Sequence, residues 1–320
     1  MIYLDLIELV GGLIYLLAGA DLLVRGAVAL ARKAQVPPLV VALTVVALGT
    51  SLPEFIVAIQ ALVAGYPGIL LGNVVGSNIA NVLLVGGLTA ALYPVAPGDD
   101  AVRRDAAVMV GVSLVFAGLC VTTGLDRVAG AALVLGMVGV LFVSGRDALR
   151  AKRVIAEGTP LEWVLGLPSS PVLIVVFLVV GVVGLPLGAR LVVDAAVEIA
   201  VELGVTETVV GLTIVAFSTS LPELATTGVA AYRQRTEVVL GTIVGSNIFN
   251  IVAIMGISAV LSPSPIPVPG RFVALDLPIL LGAAVIVALF VWLRKPIGRL
   301  AGVAMALAYG GYVAALFVAG

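Results

Sequence analysis

The sequence predicts an all-α membrane protein whose ten transmembrane helices form two inverted repeats of five helices. Three observations predict this fold: the composition, a series of long apolar segments, and a pair of motifs that occurs twice. Of the 320 residues, 62% are hydrophobic and only 11% are charged. Soluble domains average about 45–50% apolar and about 25% charged residues. An ordinary soluble globule and a disordered chain are therefore excluded.

The residue types that are missing exclude several kinds of chemistry. The chain has no histidine, which removes the usual general base and the commonest transition-metal ligand. Its single Cys120 can form neither an internal disulfide nor a thiolate cage for a metal. A net charge of −1 offers no basic surface for nucleic acid. Any bound cation must therefore be held by oxygen atoms, and we expect no cofactor.

Ten apolar segments are long enough to cross a bilayer, which takes about 20 residues. They span approximately residues 6–31, 38–64, 69–93, 104–124, 127–145, 170–201, 207–231, 237–261, 272–293 and 298–319. A polar stretch at 146–169 divides them into two groups of five. We therefore expect a first repeat at 1–145, a cytoplasmic linker at 146–169 and a second, inverted repeat at 170–320.

The charges in the loops predict the orientation of these helices in the cell membrane. Basic residues gather in the short loops on one side, namely Arg32, Lys33, Arg103, Arg104, Arg146, Arg150, Lys152, Arg153, Arg233, Arg235, Arg294, Lys295 and Arg299. The opposite side has Arg127 and Arg271 and little else. Because cytoplasmic loops carry an excess of Lys and Arg, we expect both termini on the extracytoplasmic side.

Two blocks of sequence recur at a constant offset of 169 residues. Thr44–Glu54 reads TVVALGTSLPE and Thr213–Glu223 reads TIVAFSTSLPE. Leu71–Asn81 reads LGNVVGSNIAN and Leu240–Asn250 reads LGTIVGSNIFN, and each pair of blocks shares eight of 11 residues. Because each repeat holds an odd number of helices, the two copies must be inverted relative to each other. Inverted repeats with interrupted helices indicate a secondary transporter with its site near the midplane.

Glu54 and Glu223 are the central candidates for binding a cation. They lie deep in the second and seventh predicted helices, where a lone carboxylate costs about 2.5–3.5 kcal/mol to insert. Two ionised carboxylates balance one Ca²⁺ or two monovalent ions, and flexible oxygen ligands suit Ca²⁺. Moving two bare carboxylates across a low-dielectric core is costly, so we expect the protein to switch sides mainly when loaded. That is the behaviour of an antiporter.

Neutral groups share a helix face with each glutamate. They are Ala47, Thr50 and Ser51 in the first copy and Ala216, Thr219 and Ser220 in the second. Pro53 and Pro222 have no N–H, so each bends its helix and frees a backbone carbonyl. Each motif thus offers hydroxyls, a carboxylate and a carbonyl within two helical turns.

A second set of polar residues is expected to line the same cavity. It comprises Ser77, Asn81, Ser246 and Asn250, which lie at i and i+4 in their helices. The neighbouring Asn78 and Asn247 lie on a different helix face and rank below them as candidates.

At these motifs the chain resembles the cation/calcium exchanger superfamily, in particular its prokaryotic sodium/calcium exchangers. The two blocks are similar to that family's alpha-repeats, and the resemblance extends over all ten predicted helices. It implies that Na⁺ and Ca²⁺ compete between the second, third, seventh and eighth helices, and that the long first and sixth helices form a sliding gate. By motif it implies that the glutamates, hydroxyls and amides named above are ligands, with the carbonyls of Ala47 and Ala216.

One departure from the family pattern leaves the coupled ion open. Many relatives have an acidic residue at one of the positions of Asn81 and Asn250, whereas both are amides here. An exchanger of Ca²⁺ or another cation that uses H⁺, or depends on K⁺, is therefore the nearest alternative. An intramembrane hydrolase and a cation channel are less favoured. Ca²⁺, Na⁺ and the lipid bilayer are the expected partners, and no protein partner is indicated.

Overall fold

The structure, a computed structural model, describes residues 2–122, 124–155, 167–203 and 218–319. Within these ranges the regular secondary structure is entirely helical, as the composition predicts. In chain order the α-helices are α1 Ile2–Ala34, α2 Pro38–Val41, α3 Ala47–Thr50, α4 Leu52–Val63, α5 Pro67–Ala80, α6 Gly87–Leu92, α7 Asp100–Thr122, α8 Arg127–Ile155, α9 Pro171–Glu202, α10 Leu221–Tyr232, α11 Thr236–Phe249, α12 Gly256–Leu261, α13 Leu277–Trp292 and α14 Arg299–Ala319.

These helices form the membrane spans that the apolar segments predict. Over the described ranges, eight spans are long and apolar enough to cross a bilayer, and the bent pair Pro38–Thr50 and Leu52–Val63 makes a ninth. They match nine of the ten predicted segments. The remaining segment, 207–231, is described only from Ser218 onward, so its first part lies outside the described residues.

Helix α8 is longer than the sequence predicts. The expected boundary lay at residue 145, followed by a polar linker, but the helix continues to Ile155. The reason is local propensity, since residues 146–155 are rich in Ala, Leu, Arg and Lys and contain neither Gly nor Pro. The first part of the predicted linker is therefore helical.

Within the described residues, four spans contain a turn of π-helix, at Ala42–Val46, Asn81–Gly86, Asn250–Met255 and Phe272–Asp276. Two of them occupy corresponding places, since Asn81–Gly86 joins α5 to α6 and Asn250–Met255 joins α11 to α12. Such turns appear mostly as short insertions in α-helices and often at functional sites. Both begin at an asparagine of the repeated motif.

Helices α1 and α9 pack closely against each other in antiparallel orientation. A Cβ atom added at Gly188 would lie 2.7 Å from the backbone nitrogen of Leu16, and one at Gly181 would lie 2.7 Å from Cβ of Leu23. Small residues allow such approach of two backbones in lipid. The pairing order shows that the two longest helices run in opposite directions.

The centre of the molecule is the span Thr236–Leu261, whose most apolar stretch is 94% buried. It contacts α2, α3, α5 and α10 together with the π-turn that follows α5. The repeated motifs of both halves therefore meet in the middle of the bundle.

Candidate cation site

Both glutamates of the predicted site follow a break in their helix. Between α3 and α4 the chain bends by 45°, with Pro53 in the first turn of α4. Ser51 at the break has φ −85° and ψ 6°, and Ser220 has φ −89° and ψ 1° just before α10, where Pro222 occupies the first turn. The bend predicted from the proline is confirmed in the first copy, and the second copy has the same backbone conformation at its serine.

The side chains of Glu54 and Glu223 are both buried in the interior, at 0% and 1% exposed. Ser51 donates a long hydrogen bond of 3.4 Å to Oε1 of Glu223. Both oxygens of Glu54 and Oε2 of Glu223 lack a hydrogen-bond partner within the described part of the chain. Buried polar groups are nearly always satisfied, so these orphaned oxygens mark a place for a ligand.

Other predicted ligands also hold buried polar atoms that have no partner among the described residues. These atoms are Oγ of Ser220, Oγ of Ser246, Oδ1 and Nδ2 of Asn81, and Oδ1 of Asn250. They belong to the same repeated motifs as the glutamates, at the ends of the broken helices. Several neutral oxygens are thus available beside the two carboxylates.

A cavity of about 870 Å³ reaches this region from one side of the bundle. Ser77 and Thr219, two predicted ligands, line it together with Asn73. Neither glutamate is among the described lining residues, but Asn73 donates a 2.9 Å hydrogen bond from Nδ2 to the backbone carbonyl of Glu54. The cavity therefore reaches a residue that is bonded to the backbone of Glu54.

The two halves differ in how open they are. Gly72 and Gly76 of α5 line the cavity, and within the described part of the chain a Cβ added at either would meet no atom within 4 Å. At the corresponding Gly241 and Gly245 of α11, an added Cβ would lie 2.7 Å from its nearest neighbour, which for Gly245 is the carbonyl oxygen of Leu43. The cavity therefore opens beside α5, whereas the equivalent face of α11 is sealed by close packing against residues 39–47.

Of the two predicted carbonyl ligands, the structure describes that of Ala47 only. The carbonyl of Ala47 accepts a 3.0 Å bond from the backbone N–H of Ser51 and a 3.3 Å bond from the hydroxyl of Thr50. Ala216 lies outside the described residues. A ligand role for either carbonyl stays a prediction.

Asn78 and Asn247, which ranked below the other candidates, lie at the crossing of the two central helices. Nδ2 of each donates to the backbone carbonyl of the other at 3.2 Å. Asn250 donates from Nδ2 to Oδ1 of Asn78 at 3.0 Å. On a single helix Asn78 lies on a different face from Ser77 and Asn81, but the crossing of the two central helices brings both faces together.

Two further buried hydroxyls were not among the predicted ligands. Thr226 and Thr242 are 0% exposed, and neither Oγ1 has a partner within the described ranges. Thr226 lies three residues after Glu223, so helical periodicity could have found it. Thr242 corresponds to Asn73 in the repeat. Both positions hold a polar residue within an apolar helix, and this shared polarity could have identified Thr242.

The donor set suits a hard cation. The described residues contain no group of three or more His, Cys, Asp or Glu side chains that could hold a metal. A cation in this region would be held by two carboxylates and several neutral oxygens, which is the chemistry that Ca²⁺ and similar ions favour. A helical membrane protein with charged groups buried at the meeting point of two motif copies falls in the class of cation transporters.

Comparison with known proteins agrees with this class. The chain matches the family described as sodium/calcium exchanger protein over residues 5–145 and 173–318. It is 36% identical to the inner membrane protein YrbG of Escherichia coli, over 95% of this chain and 93% of that protein. It is 29% identical to the sodium/calcium exchanger MaX1 of Methanosarcina acetivorans, over 99% of both proteins.

Solved structures extend the likeness to the fold. The sodium-calcium exchanger NCX_Mj, in crystals soaked with Na⁺ and Sr²⁺, superposes with a TM-score of 0.80 at 30% identity. The match covers 100% of this chain and 99% of that chain. The chain belongs to the sodium/calcium exchanger family. It is an integral membrane protein that exchanges cations, and it is a transporter rather than an enzyme.

Proposed function

We propose that the protein exchanges Na⁺ for Ca²⁺ across the membrane by alternating access at a midplane site formed by Glu54 and Glu223. The observation that carries this proposal is the pair itself. Both carboxylates are fully buried, and Glu223 accepts a bond from Ser51, three residues before Glu54. Three of their four oxygens have no hydrogen-bond partner among the described residues. Such a pair is costly when empty and is neutralised by one Ca²⁺ or two Na⁺.

The choice of ions is supported by charge and by the relatives. MaX1 is named a sodium/calcium exchanger, and NCX_Mj was solved with Na⁺ and with Sr²⁺, which carries the charge of Ca²⁺. Oxygen ligands in flexible number suit both Na⁺ and Ca²⁺ better than the strict octahedron of Mg²⁺. Ca²⁺ and Na⁺ are accordingly the cargo that we assign to this chain.

The proposed ligands come from both copies of the motifs. They are the side chains of Glu54, Glu223, Thr50, Thr219, Ser51, Ser220, Ser77, Ser246, Asn81 and Asn250 and the carbonyls of Ala47 and Ala216. Their support is the concentration of unpartnered buried atoms in these motifs. The cavity of about 870 Å³ supplies the approach to Ser77 and Thr219.

We infer ten helices arranged as two inverted repeats, with the linker between residues 145 and 170. The antiparallel pairing of α1 with α9 supports the inversion, as do the matching hydrogen bonds of Asn78 and Asn247. With both termini extracytoplasmic, α5 begins on the extracytoplasmic side, so the open cavity faces outward. The sealed path beside α11 then leads to the cytoplasm.

The nearest competing function is exchange of a cation against H⁺, or exchange that depends on K⁺. The observation that favours it is the amide at both positions 81 and 250, which adds no negative charge to the two glutamates. The ions that drive transport separate these possibilities.

The test is Ca²⁺ uptake into vesicles that contain the purified protein and an outward Na⁺ gradient. We expect uptake that requires the Na⁺ gradient and persists when pH and K⁺ are equal on both sides. Uptake that follows the pH gradient, or that requires K⁺, would contradict Na⁺/Ca²⁺ exchange and support the competing function. Ca²⁺ flux that needs no counter-ion would indicate a channel and refute exchange.

A further inference from the structure

The hydrogen bonds at the crossing of the two central helices are asymmetric. Asn250 donates from Nδ2 to Oδ1 of Asn78 at 3.0 Å. The corresponding bond in the other copy would run from Nδ2 of Asn81 to Oδ1 of Asn247, since both counterparts are offset by 169 residues. Both of those atoms are buried, and neither has a hydrogen-bond partner among the described residues. One bond of a symmetric pair is therefore made and the other is open.

The orientation of the two acceptor amides is fixed by the backbone. Nδ2 of Asn78 and Nδ2 of Asn247 each donate to the carbonyl of the other residue. Rotating either amide by half a turn would place an oxygen against that carbonyl and lose the bond. Each of these asparagines therefore presents Oδ1 as its one side-chain acceptor, and only that of Asn78 is used.

The asymmetry in hydrogen bonding coincides with the asymmetry in access. Asn250 follows α11, whose Gly241 and Gly245 are sealed by close packing. Asn81 follows α5, whose glycines Gly72 and Gly76 face the open cavity. The amide that is bonded thus belongs to the sealed helix, and the amide that is free belongs to the open helix.

We propose that Asn78 and Asn247 are positioning residues that exchange these bonds when access alternates. In the present state Asn250 is tied to Asn78 and Asn81 is released toward the ion site. In the state open to the opposite side, Asn81 is tied to Asn247 and Asn250 is released. The number of buried hydrogen bonds stays the same, so the exchange adds no net desolvation cost. The inference rests on the proposed function, because it requires two inverted halves that alternate.

The test compares Asn250→Leu with Asn81→Leu in the full-length protein. Leucine has nearly the shape of asparagine and removes the donor. The accessibility of each side is read with a cysteine introduced by Gly72→Cys or Thr242→Cys, separately, in a Cys120→Ala background. Gly72 lines the open cavity, whereas Thr242 lies next to the tightly packed Gly241 on α11 and is 0% exposed.

Modification of the reporters by a water-soluble maleimide is measured in vesicles with equal Na⁺ on both sides and no Ca²⁺, so that the loaded protein can alternate. We expect Asn250→Leu to slow modification at position 72 and speed it at position 242. Asn81→Leu should do the reverse. The ratio of the two rates should change by about fivefold in each case, which is the worth of one buried hydrogen bond.

Two further variants separate a switch from damage to packing. The double variant Asn81→Leu/Asn250→Leu removes one bond from each state and should restore the ratio of the parent protein. Ser258→Ala, which removes a buried unpartnered hydroxyl from α12, should leave the ratio unchanged. The alanine variants at positions 81 and 250 replace the leucine variants if those do not fold.

Shifts in the same direction for both single variants, or no shift in either, would overturn the proposal. A double variant displaced further than the single variants would overturn it as well. Na⁺-driven Ca²⁺ uptake by the parent protein is measured in the same vesicles. Opposite shifts without uptake would leave the switch standing and refute the proposed ion pair, whereas uptake without opposite shifts would refute the switch alone.

Discussion

At the scale of residues, the two buried glutamates have carboxylate oxygens that lack hydrogen-bond partners among the described residues. Glu54→Gln and Glu223→Gln each remove one charge with almost no change of shape. We expect Na⁺-driven Ca²⁺ uptake to fall to background in both variants, because the remaining charge cannot balance a divalent ion. The free energy of unfolding of the ion-free protein should rise by about 1–2 kcal/mol, because a neutral amide costs less to bury than an unpaired charge.

The control for both glutamates is Glu237→Gln. Glu237 is exposed in the first turn of α11, where removing its charge should leave uptake and stability nearly unchanged. Full exchange in either buried variant would contradict the assigned role of the pair.

Much of the candidate site was predictable from the repeated motifs. The burial of Glu54 and Glu223 followed from their equal positions deep in apolar segments. The place of Asn78 and Asn247 did not follow, because their bonds depend on where two helices cross. A sequence defines the faces of one helix but does not give the point of contact between two.

At the scale of elements, the antiparallel pair α1 and α9 depends on glycines at the contact. A Cβ added at Gly12 would lie 2.9 Å from the backbone nitrogen of Val192, whereas one at the adjacent Gly11 would meet no atom within 4 Å. Gly12→Ala should therefore lower the free energy of unfolding by about 1–3 kcal/mol through overpacking. Thermal unfolding in detergent measures the effect.

The neighbouring substitution is the matched control. Gly11→Ala should be neutral or raise the free energy of unfolding by up to about 1 kcal/mol, since alanine favours helix more than glycine does. Equal destabilisation by both substitutions would show that contact between α1 and α9 is not the cause.

A buried hydrogen bond beside the open cavity joins α14 to Asp276, the residue that precedes α13. The hydroxyl of Tyr312 donates to Oδ1 of Asp276 at 2.7 Å, and the aspartate is only 7% exposed. Tyr312→Phe leaves this carboxylate oxygen without its donor and should cost about 1–3 kcal/mol of unfolding free energy. Tyr309→Phe is the control, because its ring lies 6.3 Å from that of Tyr312 in the same cavity.

The position and order of the spans were largely predictable, whereas their interruptions were only partly so. Pro53 predicted the bend between α3 and α4, because proline lacks the backbone N–H that a continuous helix needs. The π-turns that begin at Asn81 and Asn250 have no comparable signal in the sequence. The charged residues after position 145 indicated a linker, whereas their high helix propensity lets α8 continue to Ile155.

At the scale of the whole molecule, the distribution of basic loops predicts the orientation. Gly270 precedes the span that begins at Phe272, and Gly298 lies between α13 and α14, on the other side. Neither position has an atom within 4 Å of an added Cβ. In intact cells, an impermeant maleimide should modify Gly270→Cys, and it should modify Gly298→Cys only after permeabilisation. The reverse pattern would place both termini in the cytoplasm.

The repeated motifs of the two halves meet in the middle of the bundle. Each half contributes one buried glutamate, and Asn78 of the first half bonds to Asn247 of the second. Repetition in the sequence predicted that meeting. It could not predict the tight packing around Gly241 and Gly245, because such packing depends on the neighbouring helices.

The central claim is that Glu54 and Glu223 hold one cation together. The most direct measurement is the number of Ca²⁺ ions bound per chain at equilibrium, for the parent protein, Glu54→Gln, Glu223→Gln and the double variant. We expect the competent site to hold one Ca²⁺ and each single substitution to abolish binding as completely as the double substitution. Two Ca²⁺ ions per chain, with one lost in each single variant, would mean two separate sites and would contradict the claim.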